Sequence, residues 1–540
     1  DTLSGKIGAA TQQDGGGIKN TTIGDDVGNR DNTEFTATLL WEPAENFDAL
    51  FTYAYFEDQN DGVPLVGRSE LPDLSCVFGY CDTGKTDETS QDFYTDDIDF
   101  ELDAYSLEMN WELEAGTITS ILGYRDTDES VPTDFDGTGA ALFHTIRDQE
   151  SDQTTAEIRF ASSDSISENF DFVVGAFYLD DSYELEQFTA ILEILGPDLE
   201  GNGALYQNPS YSQDREAWAV FGETHINIAE DWTLTLGGRY SYEEKDFKSF
   251  NQLAFGVPEG FFPIGAAADD EDWDETTVKA GIDYQASEEL MYYFTYAEGF
   301  RSGGYNGRNF TPDTIGPYDP EFLDQYELGM KGDFFDRTLR LNANVFYSDY
   351  SDKQEEVIIP DGFGATATVI NNASTVDIYG AEAELTWVAN ENFLITANAG
   401  YLDAEYNDYV ADITGDGIET DNSNLDLRRI PEWTAGLTGT YTRNIGPGVL
   451  SVFGAARYTD EYWVEVSNDP RGLIDSRTVI DATISYEWEW SEGRMVKIAA
   501  FGRDLTDEQD YSSLVVVPGL FAFSGVSGGE EYGVQISGTF

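Results

Sequence analysis

Arg301 and Arg308 are rare positive charges in a chain with 28 Lys and Arg against 104 Asp and Glu. A planar guanidinium presents paired N–H donors that grip carboxylate or phosphate oxygens. The pair is therefore a candidate anion grip, with neutralisation of acidic neighbours as the plainer alternative. Asp412, Thr414 and Asp416 lie in the run Asp412-Ile413-Thr414-Gly415-Asp416-Gly417-Ile418-Glu419. Oxygen ligands at alternating positions, with glycine for the turn, are the pattern of a calcium loop. The twelfth position is Ser423 where a bidentate Glu is expected, so a polar loop without an ion is the alternative. Cys76 and Cys81 could close a small disulfide loop in an oxidising compartment. A zinc site would need more ligands, and His144 and His225 are far away in sequence.

Catalysis finds little support. Gly525-Val526-Ser527-Gly528-Gly529 spells a nucleophile elbow, but that motif needs a helix after it and a downstream His. Both histidines lie upstream. The repeated Asp and Glu pairs define no acid/base site and read as solvated loop charge. Leu514 to Phe523 is an apolar stretch in an expected loop. Its Phe521 and Phe523 either pack down into the barrel mouth or touch an apolar ligand. The chemistry in view is binding rather than catalysis, and no cofactor is expected beyond calcium in the acidic loops.

The elements that must position these residues show in the composition and the periodicity. Aromatics make up 14% of the 540 residues, Gly is frequent at 53 and Pro is not at 16. No run approaches the roughly 20 apolar residues of a membrane helix. A net charge of −76 leaves no place for nucleic acid as a partner. Such a charge suits a salty habitat, or loops that hold cations or attract a cationic ligand. The chain begins Asp1-Thr2-Leu3 without a leader pattern, so either a signal has been removed or the start of the gene product is missing.

Strict alternation is the informative signal. Leu339, Leu341, Ala343, Val345 and Tyr347 alternate with Arg340, Asn342, Asn344 and Phe346. The same pattern runs from Trp232 to Tyr242 and from Thr478 to Trp490. Period two sorts these residues onto opposite faces of a strand, and an apolar face against a polar one is what a lipid-facing, water-lined barrel requires. Nine connections are short, near 43–46, 114–115, 163–168, 230, 287–288, 336, 390, 444–447 and 491–492. Ten are long, at about 14–32, 58–99, 129–148, 186–212, 248–273, 299–321, 351–373, 407–427, 462–474 and 504–528. The sequence thus predicts an all-β fold: a large transmembrane antiparallel β-barrel of about 20 strands, with short periplasmic turns and long extracellular loops. Trp41, Trp111, Trp232, Trp387, Trp488 and Trp490 all fall near short turns, which places an aromatic girdle at the periplasmic interface.

Several segments carry a resemblance. Tyr296-Ala297-Glu298-Gly299-Phe300-Arg301-Ser302-Gly303-Gly304-Tyr305-Asn306-Gly307-Arg308 is similar to the Gly-rich mid-barrel motif of TonB-dependent outer-membrane receptors. Tyr326 to Gly329, Phe334 to Asp336, Leu339 to Tyr350 and Ile378 to Glu382 resemble that family's strands. Gly502 to Asp507, and Tyr532-Gly533-Val534 through Phe540, resemble its C-terminal hallmark. The likeness is strong over about 296–540 and looser before it.

The resemblance implies an outer-membrane importer of a scarce, bulky nutrient such as a ferric siderophore or another metal chelate. A passive substrate-specific channel, or an importer of a vitamin, oligosaccharide or aromatic compound, is the alternative. It places Arg301, Tyr305, Asn306 and Arg308 among the residues that meet the ligand. The implied partners are that ligand, outer-membrane lipid and lipopolysaccharide, and the TonB energy-transducing complex, met through a plug segment. The family's barrel has about 22 strands behind an N-terminal plug. Nothing here resembles that plug, and Asp1-Thr2-Leu3 looks like the start of the third strand. The plug and two strands are therefore expected to be missing, leaving strand edges at about 3–13 and 529–540 without partners.

Overall fold

The computed structural model describes residues 2–92, 98–163, 166–167, 169–195, 204–309, 312–360, 366–491, 493–517 and 519–539. Among them, twenty strands form a single meander: β1 (Leu3–Asp14), β2 (Arg30–Ala44), β3 (Phe47–Asn60), β4 (Ile98–Leu113), β5 (Gly116–Asp134), β6 (Phe143–Ser162), β7 (Phe170–Ile191), β8 (Leu205–Ala229), β9 (Trp232–Phe255), β10 (Phe262–Ser287), β11 (Leu290–Arg301), β12 (Glu321–Phe334), β13 (Leu339–Pro360), β14 (Thr366–Asn390), β15 (Phe393–Ala411), β16 (Trp433–Ile445), β17 (Gly448–Thr459), β18 (Arg477–Ser491), β19 (Arg494–Arg503) and β20 (Glu531–Thr539). Each strand pairs antiparallel with the next in the chain. The short turns fall where the alternation breaks, although Asp164, Ser165, Glu168 and Glu492 lie outside the described residues. Among the described residues β1 pairs only with β2, and β20 only with β19. Phe540, expected to end the last strand, lies outside them.

The faces separate as the period demands. Ile158, Leu236, Leu328 and Val345 stand exposed on the outer face. The inner face carries polar pairs between strands, such as Asn344 Nδ2 to Glu382 at 3.1 Å on the next strand and Lys279 Nζ to Glu223 at 2.9 Å across the intervening β9. Trp41, Trp111, Trp232 and Trp387 are exposed near the short turns, and Trp232 stacks on Tyr284 with ring centroids 4.6 Å apart. A second aromatic row, absent from the sequence reading, runs along the other end. Tyr296, Tyr326, Tyr347 and Tyr379 contact one another in series at 4.9, 6.2 and 5.0 Å. The Tyr296 hydroxyl donates to Asp324 at 3.0 Å and that of Tyr347 to Asp377 at 2.7 Å. Rings in hydrocarbon with hydroxyls turned to carboxylates mark the far membrane boundary. Tyr379 and Trp387 are eight residues apart on β14, close to the roughly 9–11 residues of a tilted crossing.

The strands outrun the bilayer. β8, β10 and β14 have 25, 26 and 25 residues, where about 9–11 suffice to cross. Much of what reads as loop at 129–148, 186–212, 248–273 and 351–373 is therefore strand continuing into the outside medium. Above the membrane both faces can meet water, so the apolar-polar alternation fades in stretches such as Glu243 to Lys248 while the ladder of backbone bonds continues.

At the outer end the loops close inward. The short strand Phe521–Ser527, from the last long loop, pairs with Leu65–Gly67 from the loop after β3. A cluster of Leu65, Phe143, Ile191, Leu205, Leu253, Val517, Phe521 and Phe523 packs there. Segments from both ends of the meander and from its middle thus meet over the mouth. We expect Ala343→Arg, outward-facing midway between Leu339 opposite Trp387 and Tyr347 opposite Tyr379, to lower stability by about 2–4 kcal/mol. Inward-facing Asn342→Arg, flanked by Lys331 and Glu384, should change it by less than about 1 kcal/mol. Denaturant unfolding in lipid vesicles compares the two.

Candidate functional site

Under the closed loops lies a cavity of about 260 Å³ with two chemically distinct sides. Phe135, Phe143, Phe521 and Phe523 make the first. Phe135 meets Phe523 at 5.2 Å and Phe143 meets Phe521 at 4.9 Å between ring centroids. Arg147 and Arg308 belong to the second, with Thr145, Gln187, Gln207 and Glu356 around them. Alternation on β6 explains the approach from that strand. Phe143, Thr145 and Arg147 point inward, while His144 between them points away.

The cationic side is incompletely partnered. Arg147 lies about 50 Å along β6 from its periplasmic turn, well outside the membrane. Its Nε is buried without a hydrogen-bond partner, as is the hydroxyl of Thr145. Burial, and then the charge of Arg308, hold the Arg147 guanidinium below its usual pKa. Neither arginine makes an ion pair among the described residues. Two guanidiniums lining one cavity attract an anionic oxygen between them, while the phenylalanine wall accepts an apolar or aromatic body.

The residues singled out in the sequence divide. Arg308, Phe521 and Phe523 line this cavity together. Arg301 does not; it is exposed at the end of β11 with Glu321 3.9 Å away. Tyr305 and Asn306 support the segment that carries Arg308. The Tyr305 ring stacks on Phe247 at 4.7 Å and is buried. Burial, then the carboxylates around Asp269, push its hydroxyl pKa up. Asn306 donates to the Thr314 carbonyl at 3.0 Å and accepts from the Ile370 amide at 3.1 Å. Glycine is required twice here: a Cβ on Gly303 would meet the Trp273 ring at 2.7 Å, and one on Gly307 the Tyr211 ring at 2.6 Å. Arg147 is the residue that sequence reasoning missed. Its scarce charge in the run Phe143-His144-Thr145-Ile146-Arg147 was the available signal, hidden by placing 129–148 in a loop.

In the predicted calcium loop the carboxylates bond to nearby backbone amides. Asp412 accepts the amides of Thr414, Gly415 and Gly417 at 3.1, 2.7 and 2.7 Å, and Asp416 accepts that of Ile418 at 2.9 Å. These carboxylates shape their own turn. Cys76 and Cys81 form a disulfide in the loop after β3.

Two other arginines staple the loops that hold Phe521 and Phe523. Arg471 bonds Asp73 at 2.9 Å and Asp469 at 2.7 Å. Arg68 pairs with Asp82 at 2.8 Å and lies 3.7 Å over the Tyr511 ring. Burial alone would raise the Asp469 carboxyl, but the Arg471 amide and guanidinium outweigh it and hold it below the usual range. A depressed carboxyl stabilises above its unfolded pKa, and that contribution is lost as pH falls through the folded value. Arg471→Met should therefore expose the loops to limited proteolysis at neutral pH. The parent protein should acquire the same sensitivity only in acid below about pH 4.

A model of the family described as TonB dependent receptor-like, β-barrel, matches residues 41–505. The probable TonB-dependent siderophore receptor PiuA of Acinetobacter baumannii is 26% identical over 275 residues, covering 49% of this chain and 34% of that protein. The ferrichrome outer membrane transporter/phage receptor of Escherichia coli K12 is 24% identical over 282 residues, covering 52% and 32%. The matched stretch thus spans about a third of the length of these curated relatives. The crystal structure of the ferric yersiniabactin uptake receptor FyuA from Yersinia pestis superposes with a TM-score of 0.77 at 17% identity, over 100% of this chain and 76% of that one. That of the siderophore receptor PiuA from A. baumannii gives 0.73 at 17% identity, over 99% and 77%. At such identities the likeness to solved structures is one of fold.

Proposed function

Because this chain belongs to the TonB-dependent receptor-like β-barrel family, whose members sit in the outer membrane, we propose that it takes up a ferric siderophore or a similar metal chelate. The proposed ligand presents an anionic oxygen to Arg147 and Arg308 and lays an apolar or aromatic part against Phe521 and Phe523. The cavity that joins these four residues under the closed loops is the observation that supports this reading. The named functions of PiuA and of the ferrichrome transporter point the same way. Arg301, below that cavity on the inner wall beside Arg215 and Lys245, would serve a ligand that has already entered.

Binding here needs no bond to break. The protein would act as a receptor and transporter. Movement inward would draw on the TonB energy-transducing complex, acting through a plug segment. A passive channel is the competing mechanism. Outer-membrane lipid and lipopolysaccharide would surround the apolar belt.

Cells producing the complete gene product, with and without TonB, should be offered iron-labelled chelates of the catecholate, hydroxamate and carboxylate classes. Uptake of at least one class should require TonB. Arg147→Gln and Arg308→Gln should each weaken binding of that chelate by roughly ten- to a hundredfold, from the loss of a charge-assisted hydrogen bond of about 1.5–3 kcal/mol. Uptake that persists without TonB would establish a passive channel instead. Binding indifferent to both substitutions would remove the cavity from the ligand path.

A further inference from the structure

On the face of β5 and β6 opposite the cavity, an imidazole sits among carboxylates drawn from three segments. His144 Nε2 lies 3.0 Å from Asp92 Oδ1, and its Nδ1 lies 3.5 Å from Glu193 Oε2. Asp134 is the direct neighbour of His144 across the β5–β6 ladder. Ligand atoms of Asp92, Asp134 and His144 all fall within 4.8 Å of one another. Asp134 and Asp136 are completely buried, and His144 nearly so.

Charge balance gives this cluster its meaning. Asp92, Asp134, Asp136 and Glu193 contribute four carboxyls. Among the described residues none of them forms an ion pair with Lys or Arg; the imidazole is their counter-charge. Buried carboxylates without matching positive charge are strongly unfavourable. A single imidazole thus stands among these carboxyl groups, and it can share one ion with them only if their ligand atoms converge, as those of Asp92, Asp134 and His144 do.

The other histidine is a useful contrast. His225 also faces two carboxylates, Asp171 at 2.7 Å and Glu223 at 3.1 Å. There Lys279 pairs with the same Glu223 at 2.9 Å, and the side chains are substantially exposed. That group is balanced and wet, whereas the His144 group is neither.

We infer that Asp92, Asp134 and His144, whose other ring nitrogen faces Glu193, bind a first-row divalent cation of the Zn²⁺ or Mn²⁺ type. Imidazole combined with carboxylates is the donor set of such ions, whereas calcium and magnesium take oxygen ligands alone. Bonds of about 2.0–2.2 Å require the three donors to close by about 1 Å, within the reach of side-chain rotation. The outer contacts are in place. The amides of Asp92 and Gly137 donate to Asp134 at 3.0 and 3.1 Å and fix its carboxylate. An ion here ties the segment around Asp92 to the β5–β6 hairpin, whose opposite face supplies Phe135, Phe143, Thr145 and Arg147 to the cavity. The inference rests on this geometry and not on the transport reading.

The full chain, purified in detergent micelles and stripped of metal, is titrated with ZnCl₂ and with MnCl₂ by calorimetry in excess CaCl₂, which occupies the acidic surface. One saturable site should appear. Asp92→Asn, at the accessible rim, should weaken it at least about tenfold. His144→Gln should abolish it, and His225→Gln should leave it unchanged. Thermal unfolding of each variant verifies that it is folded, and Asp92→Asn carries the test if His144→Gln is not. Binding that calcium displaces, binding lost with His225→Gln, or only weak unsaturable uptake by the acidic surface would each overturn the assignment.

Discussion

Hydrocarbon offers no partner for a backbone N–H or C=O, and this chain meets that condition between successive strands by pairing each with the next, the outer edges of β1 and β20 alone having no partner among the described residues. Each unpaired group within the bilayer would cost several kcal/mol, so a meander of nineteen antiparallel ladders is the form left open where, among the described residues, no helix is long and apolar enough to cross. The other features depend on it. Pairing fixes which side chains face out, and period two then separates Val345 and Leu328 from Asn344 and Glu382. The two aromatic rows, tryptophan near the turns and tyrosine toward the outside, lie where that wall leaves hydrocarbon.

Beyond the bilayer the same ladders continue with a different purpose. Water is available there and pairing is no longer compulsory, yet the strands run on and carry side chains high above the membrane. Arg147 reaches the cavity because β6 extends so far, and His144 turns to the opposite face because the strand still alternates. The loops that cap this extension interlock through backbone pairing and a phenylalanine cluster. In a chain with a net charge of −76, four of the cations hold loops together or face the cavity. Arg68 and Arg471 fasten the loops, while Arg147 and Arg308 remain without an ion pair among the described residues.

Much of this was legible in the chain itself. Alternation over long runs gave the strands, their faces and the nine tight turns, because lipid on one side and water on the other impose a contrast that composition must record. Arg308, Phe521 and Phe523 could be singled out, two as apolar residues in an exposed stretch and one as a scarce charge. Arg301, Tyr305 and Asn306 looked equivalent to Arg308, and the structure separates them. Arg301 ends β11 on the wall, and the other two are buried supports of the segment. Strand ends on the outer side were misjudged, since polar residues on both faces look the same in a loop and in an extended ladder.

The sequence alone determined the wall: periodicity is a local property, and each strand's partner is its neighbour in the chain. The cavity and the carboxylate–imidazole cluster were decided only in three dimensions. Arg147 and Phe521, or Asp92, Asp134 and Glu193, are far apart in the chain and meet because curvature of the sheet brings its loops together over one mouth. No local pattern encodes which loops will touch, so no reading of neighbours along the chain could have paired them.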